Sequence, residues 1–286
     1  MSGCDNFCTY CIVPYVRGRE RSRHPADILA EARALVAAGY KDITLLGQNV
    51  NSYGKGLEDG MDFPDLLRAI NDIPGDFVLR FMTSHPKDAT EKLFRAMAEC
   101  EKAAHHIHLP VQAGSDRVLK AMNRHYDRGT YLEKVAMARA AMPDLVLTTD
   151  IIVGFPGETA EEFRETLSLV EQVRYDAMFT FIYSPRTGTP AAAMPDPVSR
   201  AEKQVWFDRL LECANRISAE KHGEYVGRTL RVLVDGQTND PKRNLSARTK
   251  GGRLVHLAGD PALVGQFAMA EITDSSTWAL FGRVAE

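Results

Sequence analysis

No stretch of these 286 residues approaches the ~20 consecutive apolar residues that span a bilayer, which predicts a protein without a membrane helix. The first fifteen residues lack an apolar stretch of signal-peptide length. An excess of one charge is missing too. With 35 basic and 38 acidic side chains the net charge is −3, which excludes a uniformly basic nucleic-acid binder and confines any RNA contact to local patches. Internal repeats and low-complexity tracts are absent. Cysteine is scarce at five, far from the disulfide-dense composition of small secreted domains. These absences predict a cytoplasmic protein whose thiols stay reduced, so that clustered cysteines bind metal rather than pair.

Two regimes follow along the chain. From Lys41 to about Ser184, short β-rich runs ("KDITLLG", "FVLRFMT", "HHIHLPV", "LVLTTDIIVG", "AMFTFIY") alternate with helix-length segments. In "PADILAEARALVAAG", Ile28, Leu29, Ala32, Leu35 and Val36 recur at helical spacing, and "TAEEFRETLSLVEQV" repeats the pattern. This alternation predicts βαβ units, a parallel sheet of α/β class and an open or partial barrel. Its chemistry then belongs in the loops at the strands' C-terminal ends. A proline-rich connector and a long helix over 199–222, with Val205, Trp206, Leu210, Leu211 and Ile217 facing the body, complete a first domain over 1–222. Residues 223–286 read as a small antiparallel β-barrel of short strands divided by Gly, Asp and Asn.

Three of the five cysteines, Cys4, Cys8 and Cys11, fall within eight positions. A structural zinc site usually joins two closely spaced ligand pairs. Here the spacing is C-x3-C-x2-C, and the next histidine, His24, lies beyond ligand spacing. Three thiolates suit a [4Fe–4S] cluster that leaves one iron open. Zinc and incidental thiols remain the alternatives on spacing alone. Cys100 and Cys213 stand alone and read as buried apolar residues. His106 and His108 share a strand face without a third ligand, and read as polar residues lining the barrel.

The triad, with Tyr10 before its last cysteine, resembles the signature of radical S-adenosylmethionine (SAM) enzymes. With "LLGQNVNSYG", "TSHP", "HLPVQAGSDRVLKAMNR", "TDIIVGFPGET" and "YSPRTGTPAA", the chain resembles the methylthiotransferases of that superfamily, of the MiaB type acting on tRNA. The C-terminal strands resemble that family's TRAM domain, an OB-like RNA-binding barrel. The resemblance implies methylthiolation of N6-isopentenyladenosine 37 of tRNA by a monomeric enzyme that takes electrons from a reductive donor. It also implies one [4Fe–4S] cluster on Cys4, Cys8 and Cys11, whose open iron chelates SAM for reductive cleavage.

The same resemblance suggests SAM contacts. Tyr10 is expected against the adenine, Gln48 and Asn49 near the amino group, and Asp150 at the ribose unless an internal salt bridge claims it. Glu158 in "GFPGET", together with Gln112 and Ser115, makes up the remaining candidates, although the Glu158 turn is also ordinary βα construction. RNA phosphates are expected at Arg17, Arg19, Arg21 and Arg23, and at Lys242, Arg243, Arg248, Lys250 and Arg253. Family members also carry an N-terminal domain with three further cysteines for an auxiliary cluster, tied to sulfur delivery. Those cysteines are not in this sequence, so a truncated chain is expected, one that cleaves SAM without inserting sulfur. Two rival readings are methylthiolation of a ribosomal-protein aspartate, as by RimO, and a non-catalytic remnant that binds RNA and is stabilised by zinc or a cluster.

Overall fold

The computed structural model describes residues 1–58 and 60–285. After a short helix α1 (Val13–Arg17), α2 (Pro25–Ala37) starts on a proline with Asp27 in its first turn, both favourable at a helix N-terminus. The alternating part then runs β1 (Asp42–Leu45), α3 (Phe63–Asn71), β2 (Val78–Phe81), α4 (Glu91–Glu99), β3 (His106–His108), α5 (Asp116–Ala121), α6 (Arg128–Ala141), β4 (Val146–Val153), α7 (Ala160–Val173) and β5 (Ala177–Ile182). The five expected strands are all present. They are parallel in two hydrogen-bonded sets, β1–β2 and β3–β4–β5, joined by a bridge from Leu79 to Ala103.

The outward faces of these strands are covered by helices. Leu79, Ile107, Leu147, Ile151 and Val153 join Leu67, Ile70, Phe94, Val135, Phe163 and Leu169 in one core, as expected for strands buried by crossover helices. The inward faces carry Arg80, His106, His108, Thr148, Asp150 and Phe179, and leave a hollow. No helix among the described residues is long and apolar enough to cross a membrane.

Helix α8 (Arg200–Gly223) opens on a capping box between Ser199 and Glu202 and buries Leu210 and Ile217 against the core. Val205, expected inward, is exposed on its outer side. The remaining strands, β6 (Thr229–Gln237), β7 (Leu245–Thr249), β8 (Leu254–Ala258), β9 (Phe267–Ser275) and β10 (Leu280–Val284), close into a five-stranded barrel in the order β10-β8-β7-β6-β9. The expectation of an antiparallel barrel needs one correction, because β10 pairs with β8 in parallel. A ring of five strands cannot alternate direction all the way round, so one pair must run parallel. Trp278 lies before β10 and is exposed.

The small barrel docks on the core through its β7–β8 turn. Arg253 forms a buried ion pair with Asp176, and its guanidinium stacks over Tyr225 at 4.6 Å. Arg80 donates to the Lys250 carbonyl at 2.6 Å and the Thr249 carbonyl at 3.1 Å, while Lys250 Nζ donates to the Glu101 carbonyl at 2.6 Å. Arg253 and Lys250 are therefore junction residues, which corrects their reading as phosphate contacts. Their charges are spent on the seam, and burial lowers the Lys250 pKa. Removing one partner of a buried pair strands the other charge, at a cost of roughly 3–5 kcal/mol. Arg253→Met should therefore lower the unfolding free energy read from a denaturant titration by an amount in that range, and the midpoint with it. An unchanged midpoint would show that the pair does not hold the domains together.

Candidate active site

The first residues are pinned by backbone pairing. Ser2 and Arg21 exchange two hydrogen bonds (3.1 and 2.8 Å), and Cys4 N donates to the Gly18 carbonyl at 3.1 Å. Between them Gly3, at φ +78°, sits so close to the Arg19 backbone that a Cβ would lie 1.9 Å from its carbonyl oxygen; only glycine fits there. This pairing places the arginine run beside the thiol loop.

Cys4, Cys8 and Cys11 open on one cavity of about 170 Å³ at the C-terminal ends of the strands. Tyr10, Gln48, Gln112 and Asp150 also line it, as do Asn6, Thr83, Ser84, His85 and Arg124. Seven expected residues thus meet in one place. Three do not. Asn49 is buried beneath the loop, donating to Asp88 at 2.7 Å and accepting from the His85 backbone at 3.1 Å. Ser115 faces Glu162 at 3.4 Å from the start of α5. Glu158 folds back onto its own turn, accepting from Gly154 N at 2.6 Å and Phe155 N at 3.2 Å, and burial lifts its pKa to about 7. Each has its polar atoms engaged in shaping a loop, which corrects its reading as a SAM contact.

Arg124, Ser84 and His85 were not foreseen. The Arg124 guanidinium is buried, and among the described residues it has no carboxylate partner. It donates to Cys8 Sγ at 3.3 Å, Tyr10 Oη at 3.4 Å, Tyr126 Oη at 2.8 Å and the Pro110 carbonyl at 2.8 Å. His85 accepts from Lys87 N on Nδ1, so its buried Nε2 carries the proton, and burial together with the Arg124 charge keeps the ring neutral. Burial likewise pushes the Cys4 and Cys11 thiols up. Asp150 faces His108 across 3.3 Å, and His108 in turn reaches the Thr148 hydroxyl at 3.0 Å.

The loops that carry these groups are strained. Thr83 and Gln112, both lining the cavity, have φ of 68° and 77°, and Phe7 between the first two cysteines has 48°. Left-handed backbone at a β-branched or bulky residue persists only where surrounding structure enforces it, commonly at functional sites.

Two family models match the chain, the radical SAM superfamily over residues 1–170 and the TRAM domain over 223–285. The chain belongs to the radical SAM superfamily. Among curated relatives, the tRNA-2-methylthio-N(6)-dimethylallyladenosine synthase of Thermoanaerobacter sp. (strain X514) is 53% identical over 99% of this chain and 60% of its own length. The synthase of that name from Clostridium perfringens (strain SM101 / Type A) is 52% identical over all of this chain and 64% of its own. The chain thus spans about 60% of the length of the relatives it matches. Among solved structures, the radical SAM enzyme coproporphyrinogen III oxidase (HemN) from Escherichia coli shares the fold, with TM-score 0.54 and 14% identity over 99% of this chain and 69% of that one.

Membership of the radical SAM superfamily implies a [4Fe–4S] cluster and SAM, and the chemistry of the residues lining the cavity suits both. Three thiols face it, and a buried cation beside Cys8 lacks an anion. Among the described residues, Asn6 Oδ1, Ser84 Oγ, His85 Nε2 and Gln112 Oε1 are buried lining atoms without hydrogen-bond partners. Such atoms are costly unless a ligand completes them. No three His, Cys, Asp or Glu side chains among the described residues stand close enough to share one metal ion, whereas cluster thiolates each take a different iron and stand wider apart.

The Arg124 charge favours the reduced, more negative cluster over the oxidised one. Replacing it with Met in the cluster-loaded protein should lower the midpoint potential by roughly 100 mV, read by EPR-monitored redox titration. Arg124→Lys, which keeps the charge, should recover most of that shift. Equal potentials in all three proteins would remove Arg124 from the site's electrostatics.

Proposed function

We propose that this chain is the SAM-cleaving and RNA-holding part of a tRNA methylthiotransferase that modifies C2 of N6-dimethylallyladenosine 37 in cytoplasmic tRNA, drawing on a reductive electron donor. The observation that carries the reading is the convergence of Cys4, Cys8 and Cys11 with Arg124 on one cavity, in a chain that ends in a TRAM barrel. The relatives' names support the substrate.

When bound, the cluster and SAM supply reductive cleavage of the sulfonium bond. Cys4, Cys8 and Cys11 would hold three irons, with Arg124 positioning Cys8 and balancing its charge. Tyr10, Gln48, Gln112 and Asp150 would orient SAM, with His85 and Ser84 donating from the opposite loop. The other thiols stand apart. Cys100 is buried at the end of α4, and Cys213 on α8 faces Glu171, so the residues in hand support one cluster. We divide the core from the barrel at Gly223 and read the protein as a monomer.

Reconstituted protein should hold about four irons per chain and convert SAM to 5′-deoxyadenosine and methionine under reductant. Cys4→Ala, Cys8→Ala and Cys11→Ala should each lose both properties, while Cys100→Ala and Cys213→Ala keep the iron. A full iron complement in Cys8→Ala would overturn the cluster assignment.

For RNA, the exposed basic residues divide into two groups. Arg19 pairs with Asp5 at 3.3 Å and lies over Phe7, and Arg23 pairs with Glu31 at 2.7 Å. Arg17 and Arg21 are exposed and form no ion pair among the described residues. On the small barrel, Arg243 stacks over Phe281 at 4.2 Å, Arg248 pairs with Asp235 at 3.0 Å, and Lys242 is exposed. Replacing Lys242 and Arg243 by Ala should weaken tRNA binding and reduce the slope of log K against log salt by somewhat under one unit per lost contact. The wild-type protein should prefer tRNA over ribosomal protein when both compete. An unchanged slope would move recognition to Arg17 and Arg21, and a preference for ribosomal protein would favour the RimO reading.

A further inference from the structure

A second cavity, of about 520 Å³, occupies the hollow between the inward strand faces and the small barrel, lined among others by Arg80, Met82, His106, Thr148, Phe179 and Trp278. Its cations already have partners. Arg80 is paired with Asp42 at 2.7 Å, Arg253 with Asp176, and Arg248 with Asp235. What the cavity offers a ligand is therefore apolar surface. Strands of a parallel α/β sheet are normally covered on both faces. Here Phe179 and Phe181 on β5 are 53% and 52% exposed, Met82 is 38% exposed, and Trp278 across the hollow is 65% exposed. Large aromatic groups left uncovered inside a concavity mark a binding site.

This cavity adjoins the thiol site. Phe179 stands in register beside Asp150, which lines the thiol cavity, and packs edge-on against His108 at 5.7 Å. Met82 lines the lower cavity, and the next residue, Thr83, lines the upper one. A base presented to the thiol end, with its polar edge toward His108 and Asp150, has Phe179, Met82 and Trp278 below it. We infer that these three side chains bind the apolar five-carbon N6 substituent of the target adenine and so set the preference for prenylated over plain adenosine. This rests on the proposed tRNA reading and adds to it the residues that select the substrate.

The test uses cluster-loaded protein and two anticodon stem-loop RNAs, one with N6-dimethylallyladenosine at the target position and one with adenosine, bound by fluorescence anisotropy. Covering about two carbons corresponds to a preference of roughly tenfold, expected in the wild-type protein. Phe179→Ser and Trp278→Ser, both at exposed positions that should leave folding intact, are expected to weaken the prenylated RNA alone and reduce the ratio to about twofold or less. Equal weakening of both RNAs, or an unchanged ratio in both variants, would overturn the inference. So would a wild-type protein without preference whose dimer is lost in Phe179→Ser, since a second copy would then cover this face. SAM cleavage by the same wild-type preparation tests the site reading separately. Cleavage without any RNA preference sinks this inference and spares that reading; absence of both cleavage and RNA binding sinks the two together.

Discussion

A guanidinium held out of water needs an anion, and among the described residues Arg124 meets only a cysteine sulfur and two phenols beside the Pro110 carbonyl. Leaving a charge in that state costs several kcal/mol, so the loops at the strand ends make energetic sense only when a bound anionic group completes the site. Much of the local architecture serves the same contact. Tyr126 and the Pro110 carbonyl fix the guanidinium from below. The Cys8–Cys11 turn is closed by its own backbone bond, and Thr9 is tied to the end of α5 by its amide and hydroxyl, at 3.1 and 2.8 Å. The strained residues Phe7, Thr83 and Gln112 sit around this centre, where the strain is offset by the packing that holds three thiols toward one cavity.

The thiol triad and the five strands of the core were legible from spacing, because both depend on local sequence: a ligand loop needs near neighbours, and buried parallel strands need short apolar runs. Gln112 and Asp150 were legible for a related reason, since residues at or near the C-terminal end of a parallel strand open on the site by construction. Arg124 was not. It follows α5 in a turn, and its partner Cys8 is 116 residues away, a separation that no periodicity records. Asn49, Ser115 and Glu158 misled in the opposite direction. Amides, hydroxyls and carboxylates in βα loops are as useful for tying the loop as for holding a ligand, and only the fold shows which way each one points.

Charge was the least readable property. The basic residues of the C-terminal barrel look alike in sequence, yet Lys242 faces solvent and Arg243 lies half-buried over Phe281, while Lys250 is tied into the seam and Arg253 is buried there. The difference comes from a single tight turn between β7 and β8 that inserts against the core. A cluster of arginines and lysines counted along a chain therefore overstates the charge available to a polyanion by whatever the domain junction consumes.

That junction has a mechanical consequence. Buried ion pairs are shielded from salt far more than surface ones, and Arg253–Asp176 is reinforced by Arg80 reaching across to two carbonyls of the barrel. The small barrel is thus clamped to the core by side chains as well as joined to it through α8. Whatever it grips is held at a set distance from the thiol cavity, so the pair works as a caliper: length along the bound molecule becomes a criterion of selection alongside chemistry.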